Sequence, residues 1–369
     1  MKLIVPQKEL SFALNTVYKA VSPNNTLPVL NNILIKAEGK KLFFTATNLE
    51  IAINYWIGAD VYNEGSITIP AKLVTSYVHL LEDGNIELKL EEGLTLSIKS
   101  QSSRTKIKGI GADEFPLIPK IEQPDIFTIS SESLQEAIGQ VVFAAATSNS
   151  RPVLSGVLFN LDKDVFSLVA TDSYRLAEKK ITLSEKVKKN IQCIVPAKTI
   201  FELGKILSSL PNNISIEVFV SKNQILFKVQ NIEFVSRLIE GNFPDYDKII
   251  PKTSKTRIQV KVSDFILAVR KVSLFVVEES NNIRLSVTNN GKLILSTGET
   301  QVGEETSEIE AQISGENNQI GLNFQFLLDI LNNIHSESIV MELDNKLSPI
   351  VIRPTHKDDY VHIIMPLKI

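Results

Sequence analysis

The residues of this chain that could do chemistry are few, and they form no recognisable catalytic set. His79 and His335 fall in or just after separate helices, and His356 and His362 lack a carboxylate at metal-ligand spacing. All four histidines therefore read as surface or capping residues. Asp245 and Asp247 flank Tyr246 in FPDYDKIIP. They would point the same way only in an extended strand, and Pro244 just before them favours a loop, which argues against a metal site. Asp172 and Arg175 in ATDSYRLA could pair an acid with a charged orienter. Thr-Asp-Ser is also turn chemistry between strands, and the matching ATNLEIA carries Asn48 and Glu50 instead. A turn held by an ion pair is the better reading. Cys193, the single cysteine, excludes an internal disulfide and a cysteine zinc site, and reads as a buried structural thiol. The chain has no phosphate-binding glycine loop, no HExxH and no GxSxG. No catalytic residue, metal or cofactor is expected.

The elements that would have to position such residues point elsewhere. Of 369 residues, 43% are hydrophobic and 22% charged, ordinary for a soluble globular chain of two or three domains. The N-terminal MKLIVPQKEL is too short for a signal peptide, and no apolar stretch approaches a membrane span. A reducing, cytoplasmic setting suits the lone cysteine. Against 39 Lys+Arg stand 42 Asp+Glu, a net charge of −3, so the chain lacks the basic excess of a protein that grips DNA tightly.

Self-similarity is the strongest signal. A strand followed by an amphipathic helix recurs in KLIVPQKELSFALNTVYKAV from Lys2, FTISSESLQEAIGQVVFAA from Phe127 and IQVKVSDFILAVRKVSLFV from Ile258. Ser131 and Ser263 are expected N-caps. TLPVLNNILI matches SRPVLSGVLF, setting Pro28 opposite Pro152; SITIPAKLV matches CIVPAKTIF, setting Lys72 opposite Lys198; DEFPLIP matches GNFPDYDKIIP, setting Phe115 opposite Phe243. The third copy keeps the pattern but loses the letters. Four matches in one order at nearly constant offset imply three repeats, joined by proline-marked linkers at Pro119–Asp125 and Pro251–Thr256. Between helices the copies read as alternating strands with turns at Gly39, Gly93 and Asn290-Gly291. The expected fold is α+β: repeats at 1–121, 122–252 and 253–369, each with two helices packed on antiparallel sheets of about eight strands.

At ATDSYRLA, EGNFPDYDKIIP and the terminal IIMPLKI, the chain resembles the bacterial DNA polymerase III β subunit family, the β sliding clamps. The resemblance spans the whole chain. It implies a clamp fold in which a head-to-tail homodimer forms a six-domain ring around double-stranded DNA, without sequence preference and without catalysis. It also implies partners: the DNA polymerase III α subunit, other replicative and repair polymerases, and a clamp loader complex. The family's peptide cleft, carried over position by position, would comprise Leu154, Thr171, Ser173, Tyr174, Arg175, Leu176, Pro244, Lys248, Ile249, Asn323, Phe326, Leu347, Pro349, Ile363, Ile364, Met365, Pro366 and Leu367. Tyr174, Lys248 and Phe326 replace a frequent His, Arg and Tyr, and the tail reads Met-Pro-Leu-Lys-Ile. The third repeat ends where the others run on, so its apolar end from Ile363 is expected to lie uncovered, rimmed by Arg175 and Lys248.

The dimer contact implied by the resemblance sets Arg104, Thr105 and Ile107 against Leu274 and Phe275, with Glu304, Glu305, Glu308 and Glu310 facing Arg/Lys. Helix spacing agrees. Six helices at about 10 Å leave roughly 9 Å of clear diameter, whereas twelve leave roughly 28 Å, enough for a duplex of about 20 Å. Candidate phosphate contacts are Lys72, Arg151, Lys198 and Lys205. Two other classes compete: a hydrolase using Asp172 or Asp245, which lacks a nucleophile–base set, and an interaction protein without nucleic acid.

Overall fold

The computed structural model describes residues 1–22, 27–118, 121–122, 124–148, 150–187, 189–276, 281–288, 291–298, 301 and 303–368. Part of the first linker, Asn290 of the expected turn and the terminal Ile369 lie outside the described residues. Six α-helices lie among the described residues: α1 (Gln7–Tyr18), α2 (Ala71–His79), α3 (Ser131–Val141), α4 (Ala197–Leu207), α5 (Val262–Ser273) and α6 (Phe324–Asn333). No helix among the described residues is long and apolar enough to cross a membrane.

The repeat is visible residue by residue. α1 buries Leu10, Ala13, Leu14 and Val17; α3 buries Leu134, Ala137, Ile138 and Val141; α5 buries Phe265, Ala268, Val269 and Val272. Each set is one i, i+3, i+4, i+7 stripe, the face a helix turns to a core. The 3₁₀ turns Pro28–Asn31 and Pro152–Ser155 begin at the matched prolines. α2 and α4 both start straight after a strand-ending proline, Pro70 and Pro196. In α4, Gly204 lies so close to α3 that a Cβ there would meet Ile138 at 2.9 Å. The expected serine caps are corrected. Ser131 is the first helical residue and its hydroxyl accepts from the Ile214 amide, while Ser263 lies inside α5 and bonds Asp264. The helices instead follow extended strands directly, so the residue before each helix is a strand end.

By contact the chain divides into two compact units, Met1–Glu132 with Lys205–Leu238, and Ser133–Gly204 with Ile239–Ile369. The first unit holds two antiparallel sheets. One runs Asp60–Asn63, Lys2–Pro6, Asn85–Glu91, Thr95–Lys99, Arg104–Lys108. The other runs Asp125–Ser130, Ser215–Val220, Gln224–Val229, Ile232–Arg237, Ile51–Gly58, Lys41–Thr47, Asn32–Glu38, Gly65–Pro70. Strands of the middle repeat are thereby added to strands of the first through the pairing of Phe234 with Ile53.

The second unit repeats this arrangement. Its larger sheet runs Ile191–Pro196, Gly156–Asp162, Val165–Thr171, Arg175–Thr182, Tyr360–Ile364, Ile350–Pro354, Ser338–Leu343, Thr256–Lys261, Gln312–Gly315. Its smaller sheet runs Thr306–Glu310, Lys292–Ser296, Asn282–Thr288, Asn318–Asn323. Here the middle repeat joins the third, with Ala177 opposite His362. The middle repeat is shared because each of its sheets continues into a different neighbour.

Candidate functional site

The residues gathered at the seam of the second unit begin with a turn. Thr171, at the end of one strand, donates its hydroxyl to the Arg175 carbonyl at 2.6 Å. The Asp172 carboxylate accepts from the backbone amides of Tyr174 and Arg175 at 2.8 and 2.9 Å. Ser173 takes a positive φ of 80° between them. Thr47, Asn48 and Leu49 (φ 73°) build the same turn in the first repeat, with Asn48 accepting from Glu50 and Ile51. A carboxylate is therefore replaceable by an amide at this position, which fits a structural turn better than an acid catalyst.

Arg175 leaves that turn and turns inward. Its side chain is 10% exposed, with Nε 3.0 Å from Asp172, Nη1 bonded to Asp329 and Nη2 2.6 Å from the Phe143 carbonyl. The guanidinium lies 4.4 Å from the centre of the Phe326 ring, a cation–π stack. The expected role of Arg175 as a rim cation is corrected: its donors are committed within the fold, where an unpaired guanidinium could not be buried.

The tail strand Tyr360–Ile364 lies between two partners, with Arg175 and Ile350 both opposite Ile364, and Leu176 and Val351 both opposite Ile363. Ile363 and Ile364 are buried, so the expectation of an uncovered strand is corrected. The strand completes a sheet because its edge groups must be paired. Its two faces differ. Leu176, Val351 and Ile363 pack with Leu158 and Val169 under Phe243, Tyr246 and Ile250 of the segment that precedes the second linker. His362, on the opposite face, stacks against Phe143 at 5.6 Å. It is fully enclosed, both ring nitrogens lack a partner, and burial, helped by Arg175, pushes its pKa down to about 3. The reading of His362 as a surface or capping residue is corrected: alternation along the strand puts it in the core.

Beyond this buried floor the chain opens. The register row Arg175, Ile364, Ile350 brings Tyr174, Met365 and Pro349 to one end of three neighbouring strands. The Met365 amide donates to the Tyr174 carbonyl at 2.8 Å, and Leu367 donates to Gly321 at 2.8 Å. Met365, Pro366 and Leu367 are half-buried, whereas Tyr174, Ile249 and Leu347 are exposed by 64%, 41% and 71%. Leu347 is held outward by a turn in which the Asn345 side chain accepts from the Leu347 and Ser348 amides. Asn323 caps α6, accepting from the Gln325 amide at 2.9 Å. Pro244 and Lys248 lie exposed in that same segment; Lys248 is 2.7 Å from Asp245, which holds its pKa up. Leu154 and Thr171 are buried, as are Leu176, Ile363 and Ile364, with Ile363 and Ile364 on opposite faces of the sheet. Sequence reasoning missed Phe143 and Asp329, which hold Arg175; both come from helical segments with no motif of their own.

Of the cations considered for DNA, Lys72 and Lys198 occupy the same place at the starts of α2 and α4, and both are exposed. Arg151 is exposed and donates to the Ser173 hydroxyl at 3.2 Å, while Lys205 is exposed in α4. Arg104, Thr105 and Ile107 lie on a terminal strand of the five-stranded sheet, and Glu308 on a terminal strand of the four-stranded sheet. Leu274, just after α5, is 78% exposed, and Phe275 is half-buried. Cys193 is buried and its thiol is pushed up to about 12 by desolvation, as an inert structural thiol requires.

Comparison with known proteins agrees with this architecture throughout. Residues 1–119, 128–245 and 247–368 match the N-terminal, central and C-terminal domains of the DNA polymerase III beta subunit. The beta sliding clamp of Staphylococcus aureus is 31% identical over 364 residues, covering 96% of each chain. The sliding clamp of Bacillus subtilis superposes with a TM-score of 0.95 at 30% identity, over 100% of this chain and 99% of that one. The beta subunit of Thermotoga maritima gives 0.94 at 27% identity, over 100% and 99%. This chain belongs to the DNA polymerase III beta subunit family, the bacterial sliding clamps, and is a non-catalytic processivity factor of DNA polymerase.

Proposed function

We propose that two copies of this chain close head to tail into a six-domain ring around duplex DNA in the cytoplasm, and tether polymerases by peptide segments bound at the seam of the second unit. The clamp domains would be bounded at 1–121, 122–252 and 253–369, and a loader complex would open the ring. The cleft would have Leu154, Thr171, Leu176, Ile363 and Ile364 as its buried residues. Tyr174, Ile249, Leu347, Met365, Pro366 and Leu367 would be its contact surface, with Ser173, Pro244, Lys248, Asn323, Phe326 and Pro349 around them. An apolar surface of this kind, with few fixed polar groups, suits a segment with hydrophobic anchors. Lys72, Arg151, Lys198 and Lys205 would meet phosphates.

The observation that carries the ring is the order of strands. Each repeat offers two kinds of sheet, and twice the chain joins them: Ile51–Gly58 with Ile232–Arg237, and Arg175–Thr182 with Tyr360–Ile364. One edge of each kind is left over among the described residues, Thr306–Glu310 and Arg104–Lys108. Unpaired edges of this sort seek a partner, and a heterologous pair of them closes rings. Their charges are complementary, with Arg104, Lys106 and Lys108 on one and Glu308 and Glu310 on the other. In the free chain Glu91 holds Lys106 and Arg104 at 2.5 and 3.5 Å. Arg104, Thr105, Ile107, Leu274, Phe275, Glu304, Glu305 and Glu308 form this contact in our reading.

We infer its register from the internal seams. Both are set alike: Tyr55 faces Ile232, and the equivalent Lys179 faces the equivalent Tyr360. The corresponding positions at the open edges are Ser307 and Ser103. Opposed residues lie about 4.5–5.5 Å apart between Cα atoms, within disulfide reach. Oxidised protein carrying Ser103→Cys and Ser307→Cys should therefore run as a covalent species larger than one chain on a denaturing gel. Ser103→Cys with Glu308→Cys places the thiols on opposite faces and should not cross-link. A monomeric mass at micromolar concentration would refute the ring, and cross-linking only of the second pair would refute the register.

A further inference from the structure

The first unit has a hollow at its own seam, where Ile232–Arg237 pairs with Ile51–Gly58. Its volume is about 130 Å³. An apolar cavity of about 150 Å³ holds one benzene molecule, so this hollow has room for one leucine or phenylalanine side chain. Ile51, Ala52 and Val235 form its floor, each less than a tenth exposed. Leu49 and Leu117 stand at its mouth, 47% and 95% exposed. Large apolar side chains presented to water around a concave apolar floor mark a binding surface more often than a fold requirement.

The hollow occupies the same point of its seam as the proposed cleft does in the second unit. The turn Thr47–Ala52 has the hydrogen bonds of Thr171–Leu176, and Ala52 faces Val235 as Leu176 faces Ile363. The charges are rearranged. Ile51 stands at the position of Arg175, so no buried cation fills the floor. Arg237 stands at the position of Met365 and lines the hollow, exposed and in no ion pair among the described residues. Glu50 lies beside it, its carbonyl accepting from the Arg237 amide at 2.9 Å.

We propose that this hollow is a second peptide-docking site, which takes one leucine or phenylalanine side chain from an extended segment and sets an acidic residue of that segment against Arg237. The guanidinium fork matches a carboxylate in a way that the Met365 position of the cleft cannot, so the two sites select different segments. The peptide chemistry rests on the docking reading of the cleft, whereas the cavity and its open cation do not. With one anchor and one exposed ion pair, a dissociation constant on the order of 1 mM is expected for a short ligand.

The test uses the full-length protein with labelled Ile, Leu and Val methyl groups, titrated with acetyl-Gly-Leu-Asp-Gly-amide and with the same peptide carrying Lys for Asp. The acidic peptide should shift the methyls of Leu49, Ile51 and Val235, and the basic one should bind at least ten-fold more weakly. Arg237→Glu should reverse that preference. Leu117→Glu, at a position exposed enough to leave folding untouched, should weaken the acidic peptide at least ten-fold. Shifts confined to Ile249, Leu347 and Leu367 would overturn the second site and leave the cleft standing. Shifts confined to Leu49, Ile51 and Val235 would support the second site and its separate selectivity, while the cleft is judged by its own polymerase-derived peptides. Equal binding of the two peptides, or no change in Arg237→Glu, would overturn the proposal.

Discussion

Arg175 and His362 face the same small interior, and each illustrates how burial decides what a polar residue can do. Arg175 is tolerated there because Asp172, Asp329 and the Phe143 carbonyl take its donors. Removing it leaves those acceptors unpaired, so Arg175→Ala should lower stability by about 3 kcal/mol in urea unfolding. Lysine cannot reproduce the fork, and Arg175→Lys should recover only part of the loss. His362 has no such partners, and its pKa of about 3 lies below the ordinary 6.5. Between those values the unfolded chain binds a proton that the folded chain refuses, so stability falls as pH falls through that window. From pH 7 to 5.5 the loss due to this residue is about 1 kcal/mol. His362→Leu should show a correspondingly flatter decline when unfolding is followed at the two pH values. An equal decline in both proteins would show that the imidazole is protonated without cost.

At the scale of elements, the tail divides into two parts with different duties. Tyr360–Ile364 is paired on both sides and holds the second unit's large sheet together. Residues 365–368 are attached through backbone hydrogen bonds from Met365 to Tyr174 and from Leu367 to Gly321, and the Asn282 side chain donates to the Lys368 carbonyl at 3.4 Å. Deleting residues 365–369 should therefore leave the sheet folded and the dimer intact while polymerase-derived peptides lose at least ten-fold in affinity by fluorescence anisotropy. Undiminished binding would place the peptide site elsewhere. The N-terminus of α6 differs from those of α1, α2 and α5, which have no side-chain cap bond. Asn323 alone of these four caps its helix, a bond worth about 1 kcal/mol.

For the whole molecule the question is how a chain of net charge −3 stays on a polyanion. A few exposed cations such as Lys72 and Lys198 give contacts that weaken as salt rises, and loose contacts of this kind permit sliding. A closed ring needs no more, since linkage and not affinity prevents escape from circular DNA. Protein loaded on a nicked circle should stay at moderate salt and run off once the same DNA is cut open. Retention that is equal on circular and linear DNA would rule out a topological hold. Reversing Lys72, Arg151, Lys198 and Lys205 together should reduce the salt dependence of binding while leaving retention on circles in place.

Patterns that repeat along the chain are legible in the amino-acid sequence by itself. The stripes of α1, α3 and α5, the prolines at residues 28 and 152, and the twin Pro-Ala-Lys helix starts all follow from local rules, which act over a few residues. The turn at Asp172 is legible for the same reason, since Asx chemistry is settled within three residues. What the sequence alone could not decide was who pairs with whom across long separations. The apolar run from Ile363 has no local signal that names its neighbours, yet the strand Tyr360–Ile364 lies between strands that begin at Arg175 and Ile350. That pairing turned Arg175 from a rim charge into a buried clamp and took His362 from the surface to the core. Ser131 and Ser263 fall inside their helices because the preceding strands run on to Ser130 and Lys261, so the helices start one and two residues earlier than serine caps would set them. Only tertiary structure could divide the middle repeat between two units, since sheet edges are closed by whichever strand the whole fold brings beside them.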